Sequence, residues 1–368
     1  MADATVRAEP TDDWDRLAVD RAGGHVYQSR AWAAHRARSG WQPRFVSAGD
    51  LRILALVRPW PLIGGGSAYL PKGPAPVVEG ERLGEALWAT TKALAAERID
   101  VVAADAEVPA SDAAYATWLR RARFTPIEEI HPARHRMSLP LASPADEDQI
   151  FGGIDKSTRQ RIRKAEKDGT RVERHDARAG ANPGEGFAAP AEPTQSAAIA
   201  LDAFYDLLVA TGERLDFTVG RRADYLAWWS AALAAGHLVY LRASTAEGEE
   251  LAGLLLYRHG GRLTTVHSGD RAEHRKSHPG ALHLLRWRAI QLAIRERCRE
   301  MDLGGVDVPG ARDEPRAGDP MYGLYQHKRS FGARWLQLTG AHERVVRPRR
   351  YLAGRVVSRA LRAMGRSA

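Results

Sequence analysis

Lys328 stands in GLYQHKRSFGA (323–333), between Tyr325 and Phe331 and just before Gly332. An ammonium fixed there can hold a phosphate or stabilise an oxyanion developing on an acyl carbon. Alone, a lysine near a strand start is usually just solvated, so the element needs support from elsewhere in the chain. DKSTRQRIRKAEKDG (155–169) is a second candidate. Helical spacing puts Arg159, Arg163 and Lys167 on one face, and such cations pair well with phosphate oxygens. A solvated charged face is the usual fate of such a run. Here positive charge is unrelieved across Arg159, Arg161, Arg163 and Lys164, and apolar positions are few (Ile154, Ile162, Ala165), which points to an anionic ligand. A third element, SAYLPKGP (67–74), has prolines on both sides of Lys72-Gly73 and presents Tyr69. The prolines dictate a rigid, extended loop, which serves either a ligand or a plain connection.

Several chemistries lack their signatures. There is no GxxxxGK[ST] phosphate loop, no GxSxG elbow and no HExxH pair. Gly64-Gly65-Gly66 does not open a helix and is a poor dinucleotide loop. His131 and His135 are four apart but have no carboxylate or thiol companion nearby, so no metal site is expected. The one cysteine, Cys298, excludes an internal disulfide and a thiolate cluster; it reads as a residue inside a helical pattern.

The elements that must position these groups form two series. A helix at 30–38, a hairpin at 44–58 around Gly-Asp, a strand–Gly turn–strand at 62–78, a helix at 81–97, a buried strand at 99–108, a helix at 112–122 and an extended stretch at 127–141 make one α/β or α+β unit. In the helix at 81–97, Leu83, Leu87, Trp88, Thr91, Leu94 and Ala95 form one stripe. A second unit follows in similar order: helix 155–168, an Ala/Pro/Gly-rich loop at 174–196, helices at 198–211 and 224–235, strands at 238–244 and 250–269, a long helix at 281–300 and a strand at 301–305. The similarity suggests an internal duplication. The length, 368 residues, suits about two domains at roughly 150 residues each. The expected bounds are 1–143, completed by about 336–368, and 144–335.

The net charge of +9 favours polyanionic partners such as nucleic acid, a pyrophosphate-bearing substrate or an anionic membrane. At the C-terminus, Leu352, Val356, Val357, Ala360, Leu361 and Met364 alternate with Arg355, Arg359, Arg362 and Arg366. That basic amphipathic helix either rests on an anionic membrane face or docks on the protein with its basic face solvated. The polar, acidic N-terminus and the lack of a long apolar run predict a cytoplasmic protein, possible at the inner membrane face, and a monomer is expected.

Six elements, taken in order, resemble the Fem family of non-ribosomal peptidyltransferases (the FemABX group). They are QSRAWAAHRARSGW (28–41), YLPKGP (69–74), KSTRQRIRKAEKDG (156–169), TGERLDF (211–217), DLGGV (302–306) and GLYQHKRSFG (323–332). The resemblance spans nearly the whole chain. It implies two tandem GNAT-like N-acyltransferase domains without acetyl-CoA, with the last strand and helix returning to the first domain. No heptad run marks the coiled-coil arm of some relatives. It implies transfer of an amino acid from aminoacyl-tRNA, as co-substrate and with no cofactor, to the stem-peptide amine of a peptidoglycan precursor, either lipid II or UDP-MurNAc-pentapeptide. Carried over by position, the catalytic lysine is Lys328, and Asp105 falls near the acceptor. Arg36 and Arg214 would hold the precursor's pyrophosphate, with Tyr69, Lys72, Phe331 and Gly332 as further substrate contacts. The basic helix, with Lys156, Arg159, Arg163 and Lys167, would meet tRNA phosphates. One departure is that APVVEGE follows the YLPKGP loop where the family often has an Asp. Because the ester is already activated, no ATP is required. A proton must still leave the attacking amine, and a ribose hydroxyl of the tRNA or Asp105 is expected to relay it. The competing expectations are a Fem-like ligase for another amine acceptor, an acyl-CoA-dependent N-acyltransferase, and a non-enzymatic RNA- or membrane-binding protein.

Overall fold

The computed structural model describes residues 3–76, 78, 80–130, 135–142, 144–179, 183–188, 193–306 and 313–363. In chain order the first elements are β1 (Ala4–Arg7), α1 (Arg30–Ala37), β2 (Gln42–Ala48), β3 (Leu51–Pro59), β4 (Gly66–Leu70), α2 (Gly80–Ala96), β5 (Ile99–Ala104), α3 (Ala113–Arg121) and β6 (Thr125–Pro126). Then come β7 (Arg136–Pro140), α4 (Glu147–Gly153), α5 (Lys156–Lys167), β8 (Arg171–Asp176), α6 (Pro193–Leu215) and α7 (Arg222–Ala234). They are followed by β9 (Leu238–Ser244), β10 (Glu250–His259), β11 (Arg262–Asp270), α8 (Ala281–Arg295), β12 (Glu300–Asp302), α9 (Tyr322–Arg329) and β13 (Arg334–Leu336). The chain ends with β14 (His342–Val345) and α10 (Pro348–Ala363). The chain divides into two compact units: Met1–His135 with Pro309–Arg312 and Leu336–Ala368, and Arg136–Val308 with Asp313–Trp335.

In the first unit the sheet order is β1-β2-β3-β4-β5-β14-β6. β1 to β4 are antiparallel neighbours, while β4 and β5 run parallel, with Tyr69 opposite Ala103 and Leu70 opposite Ala104. Alternation of apolar residues along β2 and β3 and the 3.6-residue stripe of α2 meet in one core: Val46, Ile53, Leu83, Leu87, Leu94, Val102, Leu119 and Phe124. Asp112 caps α3 by accepting from Tyr115 N at 2.9 Å. β14 pairs antiparallel with β5 and β6, and α10 follows it. Asp100, fully buried, accepts from Trp60 Nε1 (2.9 Å), Arg350 Nε (3.2 Å) and Arg347 Nη1 (3.5 Å). Gly354 lets α10 lie on the Trp60 ring, because a Cβ there would come within 2.3 Å of it.

In the second unit the order is β13-β7-β12-β11-β10-β9-β8, with β11 and β12 parallel. β7 pairs antiparallel with β12, so the strand at Arg136–Pro140 belongs to this sheet. On β11 a bulge falls between the Leu255–His267 and Leu256–Thr265 pairs, leaving Val266 as the extra residue. Such a bulge re-aims the side chains that follow it. The core joins Leu254 and Leu256 of β10, Leu284, Leu285 and Ile290 of α8, Met301 and Phe331.

Three sequence expectations change. The helix expected at 281–300 stops at Arg295, and Arg297 turns the chain with a φ of 54°. Cys298 therefore lies in the turn after the helix, buried, its thiol pushed up to about 12 by burial. The loop expected at 174–196 opens inside β8 and closes inside α6. The extended stretch at 127–141 reduces, among the described residues, to β7. His131 lies outside the described residues. His135 is buried and accepts from Leu338 N at 3.0 Å through Nδ1.

Candidate active site

Each sheet contains a parallel strand pair, and each candidate cluster grows from the C-terminal end of such a pair. The parallel pairing ends there at Leu70–Ala104 in the first unit and at Thr264–Asp302 in the second, where β11 runs on to Asp270.

In the first unit, the loop after β4 carries Lys72 and the residue after β5 is Asp105. Asp105 is 3% exposed and accepts three times: from Tyr69 Oη at 2.8 Å, Lys72 N at 2.6 Å and Lys72 Nζ at 3.2 Å. Burial pulls the Lys72 ammonium down, but Asp105 and Glu107 outweigh it and the net shift is upward. Burial, reinforced by Asp105, raises the Tyr69 phenol well above its usual range. Lys72 has a φ of 52°, and the loop is held by Gln28, whose Nε2 donates to Pro71 O (2.5 Å) while its Oε1 accepts from Leu54 N (2.7 Å). Gln28 begins the QS element, so two sequence motifs lock together here. Both carboxylate oxygens of Asp105 are engaged, which suits holding Tyr69 and Lys72 in place better than taking up a proton.

Arg36, on α1, lies 5.5 Å from the Trp32 ring and 5.4 Å from the Trp41 ring. Arg58, near the end of β3, lies 4.8 Å from the same Trp41 ring. Burial first, then Arg58, pulls the Arg36 guanidinium below its usual value. Two cations flank one indole, and the Arg36 Nε is buried without a hydrogen-bond partner. Arg58 was not singled out in the sequence; its signal was only an arginine ending a strand.

In the second unit, β12 ends at Asp302, whose Oδ1 accepts from Gly304 N at 2.8 Å. This turns the chain through Gly304, at φ +80°, so that the Gly305 carbonyl accepts from Lys328 Nζ at 2.7 Å. A Cβ on Gly304 would lie 3.3 Å from that ammonium. The D-x-G-G and K-x-x-F-G elements, far apart in sequence, thus form one site. Lys328 is 5% exposed and sits in the last turn of α9, not near a strand start as the sequence suggested.

The other expected contacts divide. Phe331 is fully buried in the core, 5.4 Å from the His327 ring and 6.1 Å from that of His283. Gly332, φ +85°, ends α9 by donating to Arg329 O at 2.8 Å, a conformation glycine adopts without strain. Arg214 donates to Asp270 Oδ1 at 2.7 Å, and Arg275 binds the same carboxylate at 2.6 and 2.8 Å. Its charge is already met. On α5, Thr158, Ile162 and Ala165 form the buried stripe, while Lys156, Arg163 and Lys167 are exposed. Arg159 instead turns back onto the carbonyls of Gly152 and Ile154, closing the end of α4.

Beside Lys328 lie Arg161, from the basic run already noted, and three groups not singled out in the sequence: His327, His283 and Arg286. Arg161 Nη1 is 3.4 Å from His283 Nε2, and the His283 and His327 rings are 4.9 Å apart. Burial, then Arg286, His283, Lys328 and Arg161, push His327 down to about 2. Burial, then Arg161 and Arg286, push His283 down to about 4. Both imidazoles are neutral at pH 7 and poor general bases. Among the described residues no cluster of His, Cys, Asp and Glu could hold a metal ion, and no helix is long and apolar enough to cross a membrane.

The model of the acetyltransferase (GNAT) domain matches residues 155–329. No curated protein matches the chain. Among solved structures, the crystal structure of FemX superposes with a TM-score of 0.76 at 17% identity, covering 95% of this chain and 99% of that one. A conserved protein of unknown function from Bacteroides thetaiotaomicron superposes at 0.56 and 12% identity, covering 93% and 99%. These likenesses show the fold: an α/β chain of two tandem GNAT-like units, built as FemX is built.

Proposed function

We propose that the protein is an acyltransferase of the Fem family, moving an aminoacyl group from aminoacyl-tRNA to the stem-peptide amine of a peptidoglycan precursor. The observation that carries this reading is the Lys328–Gly305 contact, which joins the D-x-G-G turn and the K-x-x-F-G helix in a unit of GNAT type. In the proposed step the amine nitrogen bonds to the acyl carbon and the carbon–oxygen bond to ribose breaks. The amine's proton ends on the departing ribose hydroxyl. Lys328 stabilises the oxyanion formed in between. The neutral histidines leave the ribose hydroxyl as the proton relay. Arg36 and Arg58 are proposed to hold the precursor's pyrophosphate, and exposed Lys156, Arg163 and Lys167 to meet tRNA phosphates. The exposed face of α10 is proposed to meet an anionic membrane carrying the acceptor.

The test is one assay: purified protein, a mixed pool of charged tRNA, and the lipid-linked and nucleotide-linked precursors, read by mass added to the stem peptide. One aminoacyl residue should be added, with a rate that falls steeply between 50 and 200 mM salt. The GNAT match also favours a second reading, an acyl-CoA-dependent transfer to another amine. Acetyl-CoA in place of tRNA, with a panel of amines, separates them: acetylation without aminoacylation overturns the first reading.

A further inference from the structure

Several enclosed arginines of the second unit are met by acids. Arg258, 6% exposed, binds Asp176 and Glu296. Arg174, 9% exposed, shares the same two carboxylates. Arg136 binds Glu300 at 3.1 Å. This is the expected pattern, because a guanidinium taken out of water must recover its hydration from a counter-ion and hydrogen bonds.

Arg286, on α8, breaks the pattern. It is 2% exposed, and its Nε and Nη1 are buried without a hydrogen-bond partner. Its Nη2 reaches only Ser268 Oγ of β11, at a long 3.5 Å. No carboxylate bears on it: burial alone pulls its guanidinium down, to about 10, and it stays charged at pH 7. Its neighbours are of one sign or neutral. Arg161 of α5 and Lys328 of α9 add positive charge to the same cluster, and His283 and His327 are held neutral within it. Ser268 follows the β11 bulge, which re-aims the strand at this point. Around it lie a hydroxyl and two neutral imidazoles, and its own Nε and Nη1 donors are unused.

We propose that Arg286 and Ser268 form a binding site for a phosphate ester beside Lys328, the missing counter-ion being supplied by substrate. Its unused Nη1, beside an Nη2 held only by the long contact to Ser268, presents two parallel N–H donors that match two oxygens of one phosphate. The surplus of positive charge fits a phosphodiester or pyrophosphate better than a lone carboxylate. The proposal rests on the reading of Lys328 as the reacting centre only in naming the source. For aminoacyl-tRNA the ester is a phosphodiester of the 3′ end; for a CoA thioester it is the pyrophosphate. Arg286 is a substrate-binding residue, and through the anchored phosphate it positions the acyl carbon at Lys328.

The test uses the full chain and three probes, each by calorimetric titration: the trinucleotide CCA, CoA and inorganic pyrophosphate. These are run against wild type, Arg286→Met and Arg286→Lys. Wild type should bind CCA or CoA, whichever source is correct. Arg286→Met should weaken that binding at least tenfold, and Arg286→Lys should recover part of it. The melting temperature of ligand-free Arg286→Met should equal or exceed that of wild type, because the variant sheds an uncompensated charge. Binding of the probes by Arg286→Met as tightly as by wild type overturns the site. So does a clear fall in the melting temperature of the free Met and Lys variants, which marks a structural arginine, or a wild type that binds none of the three probes. Lost probe binding together with no aminoacyl transfer by wild type leaves the site standing and removes the tRNA reading.

Discussion

The two units place buried cations at the same point of their topology, beyond the end of a parallel strand pair, and treat them in opposite ways. After β4 and β5, Lys72 is closed off by Asp105, with Tyr69 completing the set. After β11 and β12, the acid Asp302 turns onto the backbone of Gly304, while Lys328 donates to a carbonyl and Arg286 has no counter-ion. The first cluster satisfies itself and works as a strut for the Y-x-P-x-G-P loop. In the second, Arg286 keeps a positive charge that no carboxylate among the described residues meets. Charge left open in a low-dielectric setting is what a reaction passing through an oxyanion needs, so the comparison favours the second site for the proposed chemistry and a supporting role for the first.

The largest expected effect breaks that comparison outright. Lys328→Met should lower aminoacyl transfer by about 100- to 1,000-fold, the range for loss of one oxyanion donor, with the far-ultraviolet dichroism unchanged. Lys72→Met should instead act mainly through stability. A Lys328→Met enzyme running at the wild-type rate would place the chemistry elsewhere. Next in size is a difference in stability. Asp105→Asn leaves Lys72 buried without its anion and should cost about 3–5 kcal/mol in urea unfolding, the range for a buried pair broken on one side. Lys72→Met combined with Asp105→Leu should recover much of that loss. If Asp105→Asn leaves the urea midpoint where it was, the first cluster is not the strut described.

A smaller effect follows from the imidazoles. His283 is 8% exposed and held down to about 4 in the folded chain, against about 6.5 when unfolded. Above pH 6.5 neither state binds this proton and stability is flat. Between pH 6.5 and about 4 the unfolded state takes it up and the folded state does not, so stability falls as pH falls. The slope is at most about 1.4 kcal/mol per pH unit for this residue. Urea midpoints at pH 7, 6 and 5 measure it, and His283→Gln should flatten the curve. A bound phosphate ester should flatten it too, by making the imidazolium tolerable. An unchanged slope in His283→Gln would mean that other groups carry the acid lability.

Much of the frame could be read from the chain, because its signals are local. The Gly-Asp hairpin, the α2 stripe and the cap at Asp112 each depend on neighbours within a turn or two. Lys328 could be singled out but not placed. QHKR has no apolar period, and α9 exists because Tyr325 and Lys328 are both buried against the rest of the unit. Phe331 looked like a substrate contact because an aromatic before glycine gives no sign of which way it faces; the core claims it. Arg286 was invisible for the opposite reason. In LLRWRAIQ an arginine on a helix is by default solvated, and only tertiary packing shows that this one is sealed in without an acid. Asp270, which takes up Arg214 and is shared with Arg275, lies 56 residues from Arg214 and could not be foreseen from TGERLDF.

The smallest effect concerns charge left open at the surface. One face of α10 is tied down through Asp100 and Trp60. The other presents Leu352 at 60% and Val356 at 67% exposure, among exposed Arg349, Arg355 and Arg359. The turn that accepts from Arg350 at Gly64 O carries Leu62, 88% exposed. Bulky apolar groups ringed by arginines, with no acid in the helix sequence, match an anionic bilayer, where each basic residue adds about 1 kcal/mol and each apolar side chain partitions independently. Wild type should co-sediment with vesicles containing phosphatidylglycerol and not with phosphatidylcholine alone. Leu352→Glu with Val356→Glu should weaken that binding about tenfold while leaving transfer to a soluble nucleotide-linked acceptor intact. Equal sedimentation of wild type and the double variant would confine the open charge of this molecule to the Lys328–Arg286 site.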